Sequence, residues 1–263
     1  MKHYWLFFFP LLLLLIFLVS PLAAIFLKVQ TQEDLWRTLW QPIVTEALRL
    51  SIVTSLSSLC LAVVLGTPLA YLLARRRFRG AALLDTLIDL PMVMPPTVAG
   101  VALLMAFGRR GVLGAWLDVI GIQISFTTFA VILAQSFVSI PFYIRAARAG
   151  FQSVDQELER VAYTLGHAPF SVFLRVTVPL AFPALLGGAV MAWARALGEF
   201  GATIMFAGNF LGRTQTMPLA IYSAMESDLT AALVLSAILI VVSFSVLFGV
   251  RLLLRRSPYG VYA

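Results

Sequence analysis

Few side chains in this sequence have the chemistry to act on a bound molecule. The apolar stretch at 178–207 carries Arg195 and Glu199, which lie four residues apart and therefore share one face of a helix. Such a pair either locks one helix to its neighbours or offers a transient positive charge to an anion. We favour the locking interpretation, because a lone basic group would hold a dianion too tightly to release it.

The sequence excludes several kinds of catalytic site. His3 and His167 are the only histidines and Cys60 is the only cysteine, which excludes a metal site built from His and Cys and a disulfide framework. The only lysines, Lys2 and Lys28, lie outside any glycine-rich loop, whereas a P-loop needs a lysine that contacts phosphate. We therefore expect no enzyme activity, metal or cofactor on this chain, and any ATP hydrolysis must occur on another chain.

The composition predicts an all-α integral membrane protein. Of the 263 residues, 61% are hydrophobic and 12% are charged, which is too much apolar surface for one soluble core. A spanning helix needs roughly 20 apolar residues, because lipid offers no partner for exposed backbone amides. We expect a single transmembrane domain over 1–263, and its six predicted spans are 5–27, 50–74, 81–108, 127–147, 178–207 and 229–254.

The basic residues indicate orientation rather than nucleic-acid binding. They flank apolar stretches, so the net charge of +7 is explained by membrane topology. Six spans place both termini on one side, and twelve basic residues fall on that side against six on the other, which predicts cytoplasmic termini. The twelve are Lys2, Arg75, Arg76, Arg77, Arg79, Arg145, Arg148, Arg160, Arg175, Arg251, Arg255 and Arg256; the six are Lys28, Arg37, Arg49, Arg109, Arg110 and Arg213.

The third predicted span contains two adjacent prolines, Pro95 and Pro96. Prolines remove amide donors and bend a helix, which lipid tolerates only where protein or a water-filled cavity satisfies the freed carbonyls. We expect this span to face the interior of a helix bundle, and the break is either a packing kink or part of a functional path. Gly198, Gly201 and Ala202 give the fifth span a small-residue face suited to close helix approach.

A polar segment at 152–183 interrupts the apolar pattern between the fourth and fifth spans. Ser153 followed by Gln156 fits a capping box, which predicts a short helix that Gly166 ends with a left-handed cap. Pro169 then opens a second short helix that carries Phe170. The segment is therefore predicted to form a helix-turn-helix on the cytoplasmic surface.

The charge of the first short helix distinguishes between a lipid surface and a protein as its docking partner. Its apolar stripe is predicted to comprise Val154, Leu158, Val161, Ala162 and Leu165. The opposite, solvent-facing side is expected to carry Glu157, Glu159 and Arg160. A helix that lies on lipid headgroups usually carries Lys or Arg across its polar face, and anionic lipid repels an acidic one. Docking to a protein partner is the better interpretation.

This segment resembles the cytoplasmic EAA loop of permease subunits of binding-protein-dependent ABC importers. The resemblance rests on Ala162, Gly166, Val176 and the Val178–Pro179 pair, whereas Arg160 and Val161 stand where the loop usually has glutamate and its first alanine. In that family the loop forms coupling helices that fit a groove on a separate ATP-hydrolysing subunit. The resemblance thus implies coupling residues Glu157, Glu159, Arg160, Ala162, Leu165, Gly166, His167, Pro169 and Phe170, with coupling helices in 152–175.

Two further stretches resemble the molybdate and tungstate permease branch, which is closely related to sulfate permeases. They are LPMVMPPTVAGVALLMAFGRRGVLG in the third span and ARALGEFGATIMFAGNFLGRTQTMPLAIY from the fifth. The resemblance implies a type I ABC importer permease fold and a gate formed by the third and fifth spans. We place that gate and the translocation path at Met94, Pro95, Pro96, Arg195, Glu199, Phe200, Gly201, Met205 and Phe206.

The function that the resemblance implies is a molybdate or tungstate permease in the inner membrane. Its expected partners are a second permease copy, identical or not, two ATP-binding subunits that hold ATP and Mg, and an external binding protein. A sulfate or thiosulfate importer remains the alternative for the anion. An ion-coupled carrier is the alternative of another class. Such a carrier would be expected to bury several carboxylates or to show inverted repeats, and Glu199 is the one good intramembrane acid.

Overall fold

The computed structural model describes residues 5–31, 35–76 and 78–256, and within them the regular structure is helical throughout. Among the basic residues that predict the orientation, Lys2, Arg77 and the side chains of Arg255 and Arg256 lie outside the described part of the chain. The helices are α1 (Trp5–Gln30), α2 (Leu35–Leu39), α3 (Pro42–Arg75), α4 (Ala81–Val93), α5 (Pro96–Phe107), α6 (Gly114–Val119) and α7 (Thr128–Ser153). They continue with α8 (Gln156–Thr164), α9 (Pro169–Val172), a π-helical turn (Phe173–Thr177), α10 (Val178–Leu197), α11 (Gly201–Ala207), α12 (Met217–Ser227) and α13 (Leu229–Arg256).

The chain carries five helices long and apolar enough to cross a membrane among the residues that the structure describes. These are α1, α3, α7, the continuous helix Pro169–Leu197 and α13. A sixth span results if the bent pair α4 and α5 is counted as one. The all-helical membrane architecture predicted from composition is therefore confirmed.

The second span begins earlier than its hydropathy predicts. Helix α3 starts at Pro42, not near residue 50, and proline suits this first position because the first amides of a helix have no partner within it. Val44 and Ala47 are buried against Met217 and Ala220 of α12. Packing on a neighbouring helix thus stabilises the extra turns of α3. The length of the apolar stretch does not reveal such packing.

The proline doublet breaks the third span as predicted. Helix α4 ends at Val93, α5 begins at Pro96, and the two axes meet at an angle of 116°. The expectation that this span faces a bundle interior holds for one side only. Ala99 and Leu103 are buried against α7 and α11, whereas Val93 and Met105 are exposed.

The prediction of one helix over 178–207 is wrong. Helix α10 ends at Leu197, and α11 starts afresh at Gly201. The side chain of Glu199 accepts a hydrogen bond from the amide nitrogen of Ala202 at 2.8 Å, which satisfies one of the first amides of the new helix. At its other end α10 continues directly from α9 through the π-helical turn, so the candidate span is Pro169–Leu197.

The segments that follow the third and the fifth predicted spans each contain a helix. Residues 109–125 hold α6, and residues 208–228 hold α12. The first amide of α12, at Met217, donates to Ser51 Oγ of α3 at 2.7 Å. Met217 and Leu219 are fully buried, so α12 belongs to the packed core rather than to a solvated loop.

Helices α3, α7 and α10 pack closely through small residues. A Cβ atom added at Gly66 of α3 would lie 2.8 Å from the Tyr143 ring of α7, and one at Gly188 of α10 would lie 2.6 Å from Ala146 Cβ. In a membrane the hydrophobic effect does not drive helices together, so van der Waals contact between closely packed backbones stabilises their association. Helix α4 is joined to α7 by ion pairs between Asp85 and Arg148 and between Asp89 and Arg145.

Candidate functional site

The first short helix of the segment, α8, begins differently from the prediction. Asp155 is its N-cap, and its Oδ1 accepts from the Glu157 amide at 2.9 Å. Ser153 is instead the last residue of α7, and its hydroxyl donates to the carbonyl of Gly150 at 2.8 Å. The predicted capping box of Ser153 and Gln156 is therefore wrong, because α7 extends further than its apolar pattern and uses that serine itself.

The turn after α8 lies where the sequence predicts it. Gly166 has a φ of +85°, in the left-handed region that favours glycine. The His167 amide donates back to the Ala162 carbonyl at 3.2 Å, and the Gly166 amide donates to the Tyr163 carbonyl at 3.0 Å. These bonds close the helix end as a Schellman motif does. Pro169 then opens α9, the second short helix.

The buried face of α8 is not the predicted apolar stripe. Leu158, Val161 and Leu165 are exposed, and only Ala162 and Glu159 of this nine-residue helix are buried. Leu165 is 73% exposed and Phe170 of α9 is 72% exposed. Apolar side chains that point away from the bundle leave the segment with a surface able to bind another protein.

The remaining predicted coupling residues surround that apolar surface. Glu157 and Arg160 form an exposed ion pair on α8, three residues apart. Gly166, His167 and Pro169 are exposed in and after the turn. We name the set Leu158, Val161, Leu165, His167 and Phe170, with the flanking pair Glu157 and Arg160, the docking surface.

Glu159 contradicts its predicted place on the solvent-facing side. Its side chain is 8% exposed, and its Oε1 accepts from Arg75 Nη2 at 2.6 Å and from Thr177 Oγ1 at 2.7 Å. Arg75, at the end of α3, is 9% exposed and also donates to the Val154 carbonyl at 3.3 Å. Arg75 belongs to a run of basic residues that the sequence analysis assigned to topology, so its role as a partner was missed.

A second group of predicted residues meets where α5 crosses α11. A Cβ atom at Gly201 would lie 2.6 Å from Pro96 Cβ, and one at Gly100 would lie 2.6 Å from Met205 Cβ. Helices α5 and α11 therefore pack closely against each other, and each does so just after the break that precedes it. We call Pro96, Gly100, Gly201 and Met205 the gate crossing, after the gate that the resemblance predicts there. Gly100 was not among the predicted residues, although it follows Pro96 by one helical turn.

The other predicted gate residues lie around this crossing in different environments. Phe206 is fully buried in the cluster formed by α5, α7 and α11, and Met94 packs partly buried against the same cluster. Phe200 contacts Tyr222 of α12 with ring centroids 5.4 Å apart. Pro95 is exposed. The crossing therefore gathers most of the set, with Phe200 directed toward α12.

Arg195 and Glu199 form an ion pair at the break between α10 and α11. Arg195 Nη1 lies 2.6 Å from Glu199 Oε2, and Glu199 is 1% exposed while Arg195 is 28% exposed. The other carboxylate oxygen accepts the Ala202 amide. The carboxylate therefore compensates the arginine and also begins α11, which favours the locking interpretation over a free positive charge.

Comparison with known proteins gives matches over nearly the whole chain. Residues 66–257 match the family model described as binding-protein-dependent transport system inner membrane component. The molybdenum transport system permease protein ModB of Mycobacterium tuberculosis is 44% identical over 246 residues, which cover 94% of this chain and 92% of that protein. A probable sulfate transport system permease protein, cysT of Nephroselmis olivacea, is 32% identical over 94% of this chain and 88% of its own length.

The fold is shared with a solved transporter. A chain of a bacterial ABC transporter involved in the import of the acidic polysaccharide alginate superposes with a TM-score of 0.77 and 18% identity, over 98% of this chain and 97% of that one. At this identity the likeness concerns the fold alone. Together with the family match, it confirms the importer permease fold that the resemblance implies.

Proposed function

Because the chain belongs to the family of inner membrane components of binding-protein-dependent transport systems, we propose that it is the permease subunit of an ATP-driven importer for molybdate. The observation that carries the proposal is the 44% identity to a molybdenum transport permease over 94% of the chain. The permease named for sulfate is less similar, at 32% identity. Tungstate, which shares the tetrahedral dianion chemistry of molybdate, is included in the proposed substrate class.

The docking surface supports an ATPase partner. It exposes Leu165 and Phe170 beside the charged pair of Glu157 and Arg160, a combination of apolar centre and polar rim that suits a protein groove. Since the sequence has no P-loop, ATP and Mg belong on two separate ATP-binding subunits. A second permease copy and an external binding protein complete the proposed assembly in the inner membrane.

The proposed mechanism alternates between two arrangements of the helix bundle. ATP draws the ATP-binding subunits together, and they move α8 and α9 through the docking surface. The spans then open toward the binding protein, and hydrolysis with product release returns them to the inward-facing arrangement. Such a change needs contacts that differ between the two states. The gate crossing, where two broken helices meet, is the proposed place where the path closes.

Uptake by the reconstituted complex tests this function. Vesicles that contain the permease, its ATP-binding subunits and the cognate binding protein are supplied with radiolabelled molybdate, tungstate or sulfate. We expect ATP-dependent uptake of molybdate and tungstate that excess sulfate does not suppress. Sulfate uptake that outcompetes molybdate would establish the sulfate alternative, and uptake driven by an ion gradient without the ATP-binding subunits would establish a secondary carrier.

A further inference from the structure

Glu159 makes contacts that a docking role does not use. It lies on the docking helix α8, yet its carboxylate points into the protein and binds Arg75 of α3 and Thr177 of the π-helical turn. Two charge-assisted hydrogen bonds, at 2.6 Å and 2.7 Å, converge on the same oxygen atom, Oε1. Three separate elements therefore meet at a single buried atom.

Aromatic rings surround one side of this largely buried contact. Tyr71, Phe151 and Phe173 form an aromatic cluster beside it, with ring centroids 5.5 Å apart for Tyr71 and Phe151 and 4.9 Å apart for Tyr71 and Phe173. The Arg75 guanidinium lies over the Tyr71 ring at 5.9 Å. Burial strengthens hydrogen bonds to charged groups and makes an unpaired partner costly. The three elements are thereby held in one relative position.

The elements joined here lead directly to the rest of the bundle. Arg75 is the last residue of α3, and Thr177 immediately precedes α10. Helices α3 and α10 both pack on α7, and α10 ends at the Arg195 and Glu199 pair beside the gate crossing. By contrast, the ion pair of Glu157 and Arg160 joins two residues within α8 and is exposed, so it links α8 to nothing else.

We propose that Arg75, Glu159 and Thr177 form a rigid link that makes α8 move as one body with the inner ends of α3 and α10. Glu159 is a positioning residue: it transmits the displacement of the docking helix and need not contact the ATPase. A buried ion pair often contributes no more stability than apolar packing, so a specific geometric role is the better reason for this one. The inference rests on the proposed permease function.

Transport stoichiometry tests the link in the reconstituted complex. Glu159→Gln removes the charge, and Thr177→Val removes only one hydrogen bond while keeping the ion pair. We expect ATP hydrolysis to persist in both variants. The molybdate taken up per ATP should fall about tenfold in Glu159→Gln, because a loss of this size is typical when a hydrogen bond to a charged group is removed. A smaller loss is expected in Thr177→Val.

The matched control is Asp118→Asn, which removes the partly exposed ion pair between Arg109 and Asp118 in the segment after α5. It should leave uptake per ATP unchanged. A merely structural defect would lower the amount of active complex and reduce hydrolysis and uptake in proportion. Uptake per ATP that stays at the wild-type value in Glu159→Gln would overturn the link.

A distance measurement tests the link without any substrate. Spin labels at Gln156→Cys in α8 and Leu65→Cys in α3, both exposed positions, are introduced after Cys60→Ser. In complexes in which only one of the two permease copies carries the labels, we expect one narrow distance distribution with and without trapped ATP, and a distribution that broadens or shifts with ATP once Glu159→Gln is added. An unchanged distribution in that variant contradicts the link. Failure of wild-type uptake would instead contradict the proposed function, which separates the two conclusions.

Discussion

At the scale of single residues, two carboxylates that are buried in the described part of the chain lie at opposite ends of the same helix. Glu159 binds Thr177, directly before α10, and Glu199 follows the last residue of α10 and pairs with Arg195. Glu159 accepts two hydrogen bonds, and Glu199 accepts one from the Ala202 amide beside its ion pair with Arg195, so each buried charge has a partner away from water. The sequence predicts the second pair from its spacing of four residues, but Arg75 and Glu159 are 84 residues apart and no local pattern joins them.

Two variants test the role of Arg195: one removes its partner alone, and the other removes both charges. Glu199→Gln keeps an oxygen for the Ala202 amide but leaves Arg195 unpaired. Breaking a fully buried ion pair costs about 3–5 kcal/mol. We expect Glu199→Gln to destabilise the protein by less than this, because Arg195 is 28% exposed. Arg195→Met combined with Glu199→Gln should recover most of the loss. Thermal unfolding of the detergent-solubilised protein measures both.

Uptake by the double variant decides between the two interpretations of Arg195. If the pair only locks helices, a double variant with restored stability takes up molybdate at close to the wild-type rate. A stable double variant without uptake would show that Arg195 contacts the anion on its path.

At the scale of elements, the turn between α8 and α9 depends on one glycine. A Cβ atom added at Gly166 would have no neighbour within 4 Å, so crowding does not require glycine there. The φ of +85° does, because side chains disfavour this backbone conformation. A non-glycine residue in this region costs about 1–2 kcal/mol, and proline fixes φ near −65°, which the turn cannot accommodate. The position of the docking surface therefore depends on backbone conformation at a single residue.

Gly166→Pro should prevent binding of the ATP-binding subunit or uncouple ATP hydrolysis from uptake. The altered turn would move α9 and Phe170 relative to α8 and break the docking surface. Gly187→Ala in α10 is the control, because its added Cβ also meets nothing within 4 Å while its φ is ordinary. Copurification of the ATP-binding subunit and molybdate uptake are measured together. A Gly166→Pro protein with wild-type values for both would refute the docking assignment.

At the scale of the whole molecule, the two polar ends of the bundle should face different compartments. Counting α4 and α5 as one span gives six spans, which places Trp5 and Arg256 on the same side. The excess of basic residues predicts that this side, with the docking surface, faces the cytoplasm. The turn after α11, where Leu211 is exposed, is then expected to face outward.

Cysteine labelling in intact cells tests this orientation. After Cys60→Ser, a membrane-impermeant maleimide should label Leu211→Cys directly, because that side chain is exposed on the outer turn. Ser257→Cys, at a position beyond the described residues, should react only once the membrane is permeabilised. Labelling of Ser257→Cys from outside intact cells would reverse the proposed topology.

The sequence by itself determined the membrane architecture, the break at Pro95 and Pro96 and the turn at Gly166. Each follows from a local cause: the length of an apolar stretch, a missing amide donor, or a backbone conformation that only glycine adopts readily. The tertiary structure decided the burial of Glu159, the start of α3 at Pro42 and the end of α10 at Leu197. These depend on Arg75, on α12 and on the capping carboxylate of Glu199, which contribute through packing or side-chain bonds that hydropathy does not encode.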